Sequence, residues 1–248
     1  MQNQVHTSGA GAERLPMTEK PRVIVAVLPE RNGVPSPDIL FDLLAIAQRG
    51  HSFVRMQYVR TDLARNTIGE GLLESKQFTH VLMLDADHRH PVDIVERLRR
   101  WVEEDPKRLV VAGMAFRRGK PFDPCVYMED TEAGKVYTPA EWPKGLLKVD
   151  LVGTAAMLIS KEVFQRLKRP WFAMDYSGAE DRAYPGEDMW FCRRCKEAGI
   201  DINVDTTCVS PHLMEAWVDG NTFRTYLAQQ QDQTFLRMPV TESDLMEV

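Results

Sequence analysis

Short apolar runs alternate with amphipathic stretches along the first half of the chain. Three runs have the length of buried strands, and two stretches of helical period separate them; in chain order these are 22–28, 36–49, 52–59, 60–76 and 79–85. The first helix is expected to begin at an N-cap, Ser36, and to end before Gly50. Strands that alternate with helices in this way predict a parallel sheet covered on both faces, with ligands bound beyond the carboxyl ends of its strands.

The pattern changes after the third strand. A helix is predicted to start at Pro91, and a fourth short strand covers 109–112. Proline and glycine then punctuate residues 116–148, where 125–128 and 135–138 can pair around a turn. We expect this stretch to be an inserted hairpin that lies over the site.

The second half of the chain carries further candidate elements. Residues 149–152 and 155–160 predict two strands around Gly153-Thr154, and a helix is expected to open at Gly186 and end at Gly199. Residues 200–204 and 208–209 predict a short extended segment near the end of the domain. The loop at 171–185 is long enough to be a lid or a binding loop.

Length and composition fit one α/β domain. The 248 residues are 44% hydrophobic and carry a formal net charge of -5, so they lack the basic excess that drives non-specific binding to nucleic acid. Residues 1–20 have no apolar period and predict a disordered arm, residues 21–215 a single domain, and 216–248 a helical or polar tail. No apolar run has the length of a transmembrane segment, so we expect a cytoplasmic protein.

The four cysteines include the pair Cys192 and Cys195, which has the Cys-x-x-Cys spacing. A zinc ribbon needs a second such pair, and a three-residue step inside a helix places both thiols on one face. Reduced, partly buried thiols are the preferred interpretation, with zinc as the alternative.

The strand at 79–85 ends in Asp85-Ala86-Asp87. If the backbone stays extended through Asp87, both carboxylates point to the same side and can address one cation. Oxygen ligands suit Mg²⁺ or Mn²⁺, and a site with few protein ligands leaves positions for substrate phosphates. The alternative is that the two aspartates cap the helix near Pro91.

The order of several short motifs resembles the GT-A nucleotide-sugar glycosyltransferases, most closely the family 2-like enzymes, including members from phage genomes. In chain order the motifs are Pro29, Ala64-Arg65-Asn66, Asp85-Ala86-Asp87, Gly153-Thr154, Gly186-Glu187-Asp188 and His212. The resemblance covers residues 22–214 and implies a GT-A type, Rossmann-like, mostly parallel sheet flanked by helices. Its C-terminal elements would then lie on the acceptor side.

The resemblance also implies roles for individual residues. It places Asp85, Asp87 and His212 at a divalent cation, with Mn²⁺ preferred over Mg²⁺ because imidazole contributes. Asp188 matches the usual general base of inverting members. The donor, a nucleoside-diphosphate sugar, would contact residues on the first half-sheet, and the acceptor would meet residues of the second half: Pro29, Arg65, Asn66, Asp85, Ala86 and Asp87 on the donor side, and Gly153, Trp171 and Glu187 on the acceptor side.

Other interpretations of single residues and of the whole chain stay open. Glu187 and Asp188 also suit the first turn of a helix without any chemistry, and His88 and His90 are interpreted as solvent-facing loop residues rather than extra ligands. The acceptor could be a glycan, a small molecule or, in a phage context, a hydroxymethylated DNA base. A sugar-phosphate nucleotidyltransferase would need a glycine- and lysine-rich loop that 29–33 lacks, and a non-catalytic nucleotide-sugar-binding module would not need Asp188.

Overall fold

The computed structural model describes most of the predicted domain, namely residues 20–28, 36–56, 59–119, 122–130, 132, 135–174 and 186–214. Four predictions fall largely or wholly outside these residues: the N-terminal arm, Pro29, the greater part of the loop at 171–185, and the C-terminal tail at 216–248.

The described residues form ten strands and five helices. The strands are β1 (Val23–Leu28), β2 (Ser52–Arg55), β3 (His80–Asp85), β4 (Val110–Ala115), β5 (Val126–Asp130), β6 (Lys135–Tyr137), β7 (Leu146–Val149), β8 (Leu151–Val152), β9 (Ala156–Ser160) and β10 (Ile202–Ser210). The helices are α1 (Pro37–Gln48), α2 (Thr61–Glu74), α3 (Ile94–Glu104), α4 (Lys161–Arg166) and α5 (Glu187–Glu197).

Seven strands make the central sheet, in the order β2-β1-β3-β9-β4-β10-β7. The pairs β1 with β2, β1 with β3 and β4 with β10 are parallel, whereas β9 is antiparallel to both β3 and β4 and β7 is antiparallel to β10. Five of the seven strands therefore run in one direction. The predicted α/β class with a mostly parallel sheet flanked by helices is confirmed.

Side chains alternate between the two faces of the sheet and build two separate hydrophobic cores. On one face, Val25 and Val27 of β1 pack with α1 and α3. On the other, Ala26 and Leu28 pack with α2, α4 and α5. Period-two alternation in a strand buried on both sides accounts for this division, since both sets of side chains are apolar.

One structural expectation about the aspartates is wrong. The strand β3 ends at Asp85, and the chain turns at Ala86 and Asp87 rather than staying extended. Ala86 is buried among the residues of α1 and α3, and the amide of Asp85 donates to the carbonyl of Ala155. The turn sends the two carboxylates toward different neighbours.

Several boundaries also differ from the prediction. The helix α3 begins at Ile94 instead of Pro91, and the predicted strand at 149–152 is divided at Asp150 between two sheets. The carboxylate of Asp150 accepts from the amide of Glu129 and from Lys196, which holds the division in place. The predicted hairpin is confirmed, because β5 and β6 pair antiparallel.

The strand β10 is longer than predicted and contains an irregularity. Its register with β4 shifts between Asp205 and Val209. The buried carboxylate of Asp205 accepts from the amide and hydroxyl of Thr207 and from the indole of Trp101, so the bulge has its own polar support. In the part of the chain that the structure describes, no helix is both long and apolar enough to cross a membrane.

Candidate active site at the carboxyl ends of the strands

The candidate site lies where β3 and β10 end. Asp85 is the last residue of β3, and His212 follows β10 after Ser210 and Pro211. Two backbone hydrogen bonds join the segments, from the amide of Leu213 to the carbonyl of Asp87 and from the amide of Arg89 to the carbonyl of Pro211. Sequence positions more than 120 residues apart are thus held together by main-chain contacts as well as by side chains.

Asp87, His88 and His212 form a compact cluster of potential metal ligands. Nδ1 of His88 lies 2.7 Å from Oδ1 of Asp87, and Nε2 of His212 lies 3.0 Å from Oδ2. One potential ligand atom from each of the three residues lies within 4.8 Å of the others. Arg118 approaches Oδ2 of Asp87 at 3.5 Å from the solvent side.

The hydrogen bonds of the cluster fix its protonation. Burial alone would raise the pKa of Asp87, but the hydrogen bonds from His212 and His88 outweigh burial and hold this pKa well below its usual range. Nδ1 of His212 faces the carbonyl of Phe116 at 3.0 Å and must donate to it. Nε2 is thereby the nitrogen turned toward Asp87, and the hydrogen bond to that carboxylate raises the pKa of His212.

The prediction that His88 and His90 face solvent is wrong. They are 4% and 3% exposed. Nε2 of His90 donates to the carbonyl of Asp85, which leaves Nδ1 to accept from the hydroxyl of Ser210. Burial lowers the pKa of His90 to about 4, so its ring is neutral and links the end of β3 to the end of β10.

Asp85 belongs to a second network, centred on Arg65. The guanidinium of Arg65 is 1% exposed and donates from Nη2 to Asp85 at 2.7 Å and from Nη1 to Glu187 at 3.0 Å. Its Nε is buried without a hydrogen-bond partner. Helix α2, strand β3 and helix α5 are therefore tied together by one buried cation between two carboxylates.

Asp188 lies beside this network, in the first turn of α5. Its Oδ1 accepts from the amide of Met189 at 2.8 Å, and burial raises its pKa. Burial also raises the pKa of Glu187, against the opposing charge of Arg65. A carboxylate with a raised pKa is a better proton acceptor once ionised, which suits a general base.

Asn66 and Trp171 are buried and have structural partners. The amide nitrogen of Asn66 donates to the carbonyls of Asp62 and Phe172, and its oxygen accepts from the amides of Trp171 and Phe172. The indole of Trp171 donates to the carbonyl of Leu167. Asn66 thereby fixes the chain just before 175–185, and any contact it makes with a donor would compete with these bonds.

Gly153 lies against Cys125, the residue that precedes β5. A Cβ at this position would be 2.9 Å from the Cβ of Cys125, and the amide of Gly153 donates to the carbonyl of Cys125. The glycine is thus explained by close packing of β5 on the 151–154 segment. Cys192 and Cys195 are free and buried, and burial raises the pKa of Cys192 to about 12.

Sequence reasoning missed His88 and the partnership of Arg65 with Glu187. A histidine next to the Asp85-Ala86-Asp87 motif was a signal for the first. No spacing rule indicates the second, because residues 122 positions apart meet only through the packing of α2 and α5 on one face of the sheet.

Several solved structures have the same architecture as this chain. No protein-family model and no curated protein matches the chain. A197 from STIV matches with a TM-score of 0.55 at 19% identity, over 77% of this chain and 86% of that one. GalNAc-T7, solved with UDP, GalNAc and Mn²⁺, matches with a TM-score of 0.50 at 10% identity, over 86% of this chain and 48% of that one. This chain has a GT-A-like fold.

The GT-A-like fold confirms the predicted resemblance at the level of architecture. The chain spans about half the length of the GalNAc-T7 chain that it matches. The Asp87 cluster and the Arg65 network both lie at the edge of the sheet where parallel α/β folds bind their ligands.

Proposed function

We propose that this protein is a metal-dependent glycosyltransferase that moves a sugar from a nucleoside-diphosphate sugar to an acceptor hydroxyl, with inversion at the anomeric carbon. The observation that supports it best is the cluster of Asp87, His88 and His212 at the carboxyl ends of β3 and β10. A cation site in that place is what a GT-A-like fold needs for a diphosphate leaving group. Bound Mn²⁺ and UDP in GalNAc-T7 agree with it.

The donor set fits a divalent cation of the Mn²⁺ type. The 3.0 Å between Nε2 of His212 and Oδ2 of Asp87 is the separation of neighbouring ligands in an octahedron with bonds of roughly 2.1 Å. One imidazole among oxygen ligands favours Mn²⁺ over Mg²⁺. When bound, the cation would neutralise charge on the departing diphosphate. Asp85 is a further proposed ligand through the Oδ2 that Arg65 does not hold, and it would have to move toward the cation because its carboxylate lies outside the cluster of Asp87, His88 and His212.

Asp188 is the proposed general base. It would take the proton of the acceptor hydroxyl as that oxygen attacks the anomeric carbon. Its amide contact with Met189 fixes the carboxylate, and the start of α5 places it next to Glu187 in the Arg65 network. Gly153, Trp171 and Glu187 are retained as the proposed acceptor-side group, with Trp171 acting through its packing because it is 2% exposed.

The donor side is proposed to comprise Arg65, Asn66, Asp85, Ala86 and Asp87, together with Pro29. Arg65 would act by holding Asp85 rather than by reaching the nucleotide, since both of its terminal nitrogens are bonded to carboxylates. The acceptor is left as a hydroxyl of unspecified origin. Donor hydrolysis in the presence of Mn²⁺ separates an enzyme from a non-catalytic nucleotide-sugar-binding module.

The first test is binding of nucleoside diphosphates with and without a cation. A panel of UDP, GDP, CDP and ADP should raise the unfolding midpoint for at least one member when Mn²⁺ is present, because a ligand of the native state stabilises it. Excess chelator should abolish the shift, and Asp87→Ala should abolish it too. Asp201→Ala is the matched control, since Asp201 is an exposed aspartate just before β10, at the opposite end of the strand that leads to His212. An equal shift in chelator would refute cation-dependent binding.

A further inference from the structure

The role of His88 within the cluster follows from the orientation of its ring. Nδ1 of His88 faces Oδ1 of Asp87 at 2.7 Å. A carboxylate oxygen accepts hydrogen bonds, so the ring nitrogen that faces it at this distance donates. Oδ1 is thereby occupied by His88, while Oδ2 is turned toward Nε2 of His212.

His88 and His212 cannot both bind one cation in this arrangement. Their rings are stacked, with centroids 3.9 Å apart and planes inclined by 25°. An ion bound by imidazole lies along the nitrogen lone pair, close to the ring plane. Two stacked planes at this inclination converge well beyond the roughly 2 Å length of a metal–nitrogen bond. Turning either ring would break its bond to Asp87 or to the carbonyl of Phe116.

His212 is the ring that is oriented as a ligand. Its Nδ1 donates to the carbonyl of Phe116, so Nε2 can bind a cation in place of the proton that it directs at Asp87. A ligating histidine commonly donates its other nitrogen to a backbone carbonyl, and that partner fixes the tautomer. His88 differs from His212, because its Nδ1 donates to the proposed ligand Asp87 and not to a backbone carbonyl.

We propose that His88 is a positioning residue. It donates from Nδ1 to Oδ1 of Asp87, so that Oδ2 is turned toward the cation, and its ring packs against the ring of His212. The inference rests on the proposed function, since it assigns a role within that cation site. The backbone supports it: His88 and His212 form an isolated antiparallel bridge, so the rings stack on paired segments. The ring centroid of His90 lies 6.2 Å from that of His88, and the two ring planes are inclined by 20°.

Two amide substitutions separate this role from general packing. Asparagine places its NH₂ group near the position of the histidine Nδ1, whereas glutamine places it near Nε2. His88→Asn should therefore keep the bond to Asp87, and His88→Gln should lose it. Loss of a partner of this kind typically weakens metal affinity about 10- to 100-fold.

The experiment is titration of the full chain with Mn²⁺ alone, following free Mn²⁺ by electron paramagnetic resonance. We expect His88→Asn to bind within about threefold of the parent protein, and His88→Gln and His88→Leu to bind about 10- to 100-fold more weakly. Circular dichroism and the unfolding midpoint check that each variant is folded. If His88→Leu does not fold, the Asn and Gln pair still decides the question.

A second measurement counts the imidazole nitrogens on bound Mn²⁺ by electron spin echo spectroscopy. One nitrogen is expected in the parent protein and in His88→Asn, and none in His212→Ala. Two nitrogens in the parent would make His88 a ligand and overturn the positioning role, as would equal Mn²⁺ affinity in His88→Gln and the parent. A parent protein that binds no Mn²⁺ would instead remove the proposed cation site, and with it this inference.

Discussion

The carboxylate of Asp188 occupies the space that a side chain at position 186 would need. A Cβ on Gly186 would lie 2.6 Å from Oδ1 of Asp188. The φ of Gly186 is -65°, which any residue adopts, so the feature that sets this glycine apart is the contact with Asp188 and not its backbone conformation. Gly186 and Asp188 therefore act as a unit at the start of α5.

The first residue-scale prediction concerns Asp188→Asn. Asparagine keeps the size of aspartate and the oxygen that accepts from the amide of Met189, but it cannot accept the proton of the acceptor hydroxyl, so folding and Mn²⁺-dependent donor binding should survive. Turnover should fall by about 10²- to 10⁴-fold, the usual contribution of a positioned base. Steady-state kinetics measure the loss, and NMR of the new glycosidic bond tests for inversion.

Gly186→Ala should move the carboxylate of Asp188 while leaving residue 188 an aspartate. The methyl group would displace the carboxylate rather than unfold α5, so turnover should fall by about tenfold or more while the unfolding midpoint changes little. Two results would contradict the role of Asp188: near-normal turnover in a folded Asp188→Asn protein, or a product with retained configuration. Either would leave Asp188 as a helix-terminal residue.

At the scale of elements, α2 contains two glycines in opposite environments. A Cβ on Gly69 would lie 2.8 Å from a ring carbon of Phe164 and 3.0 Å from one of Trp171, whereas a Cβ on Gly71 would meet nothing within 4 Å. Alanine is favoured over glycine in a helix by about 1 kcal/mol. The same substitution should therefore have opposite effects two residues apart.

We expect Gly71→Ala to raise the free energy of unfolding by about 0.5 to 1 kcal/mol. Gly69→Ala should lower it by about 1 to 3 kcal/mol, because α2 must move away from α4 and the Trp171 segment. Urea unfolding of the two variants measures both changes. A stabilised Gly69→Ala protein would show that the packing between α2 and α4 can relax without cost.

The elements that sequence predicted well are those whose burial is uniform. The strands β1 and β3 and the helices α1 and α2 were predicted close to their bounds, because β1 and β3 are apolar on both faces and α1 has a cap at Ser36. The second strand was predicted at 52–59, but β2 is mostly exposed and ends at Arg55. The division at Asp150 and the bulge after Asp205 were missed. Both depend on side-chain bonds to distant residues, Lys196 and Trp101, which local periodicity does not report.

The same limit applies to the candidate site. Asp87 and His212 were predicted as neighbours, and the structure brings them to 3.0 Å. The turn at Ala86 and the burial of His88 were not predicted, because each depends on how β10 pairs with the segment after β3. The position of Arg65 near a nucleotide stays a prediction, and its ion pairs with Asp85 and Glu187 were not predicted.

At the scale of the whole molecule, the structure predicts a loss of stability in acid through His80. Burial lowers the pKa of His80 from 6.5 to about 4. The unfolded chain takes up this proton between those pH values and the folded chain does not, so stability is full above pH 6.5 and falls as the pH drops toward 4. At about 1.4 kcal/mol per pKa unit, the loss amounts to about 3 kcal/mol at most.

The check is His80→Asn, which keeps a polar group beside Thr79 but cannot take up the proton. Between pH 7 and pH 4.5 the variant should lose about 2 kcal/mol less unfolding free energy than the parent protein. Chemical denaturation at a series of pH values gives both curves. Parallel curves would mean that His80 is protonated in the folded chain.

The turn at Ala86 and Asp87 has a consequence for how the sequences of proteins with this site can diverge. Asp85 belongs to the Arg65 and Glu187 network, and Asp87 belongs to the pair of stacked histidines. Selection can therefore act on the two aspartates separately. A descendant that exchanges Asp85 together with Arg65 and Glu187 could keep Asp87, His88 and His212 unchanged. Searches for relatives that require both aspartates as one motif would overlook such a lineage.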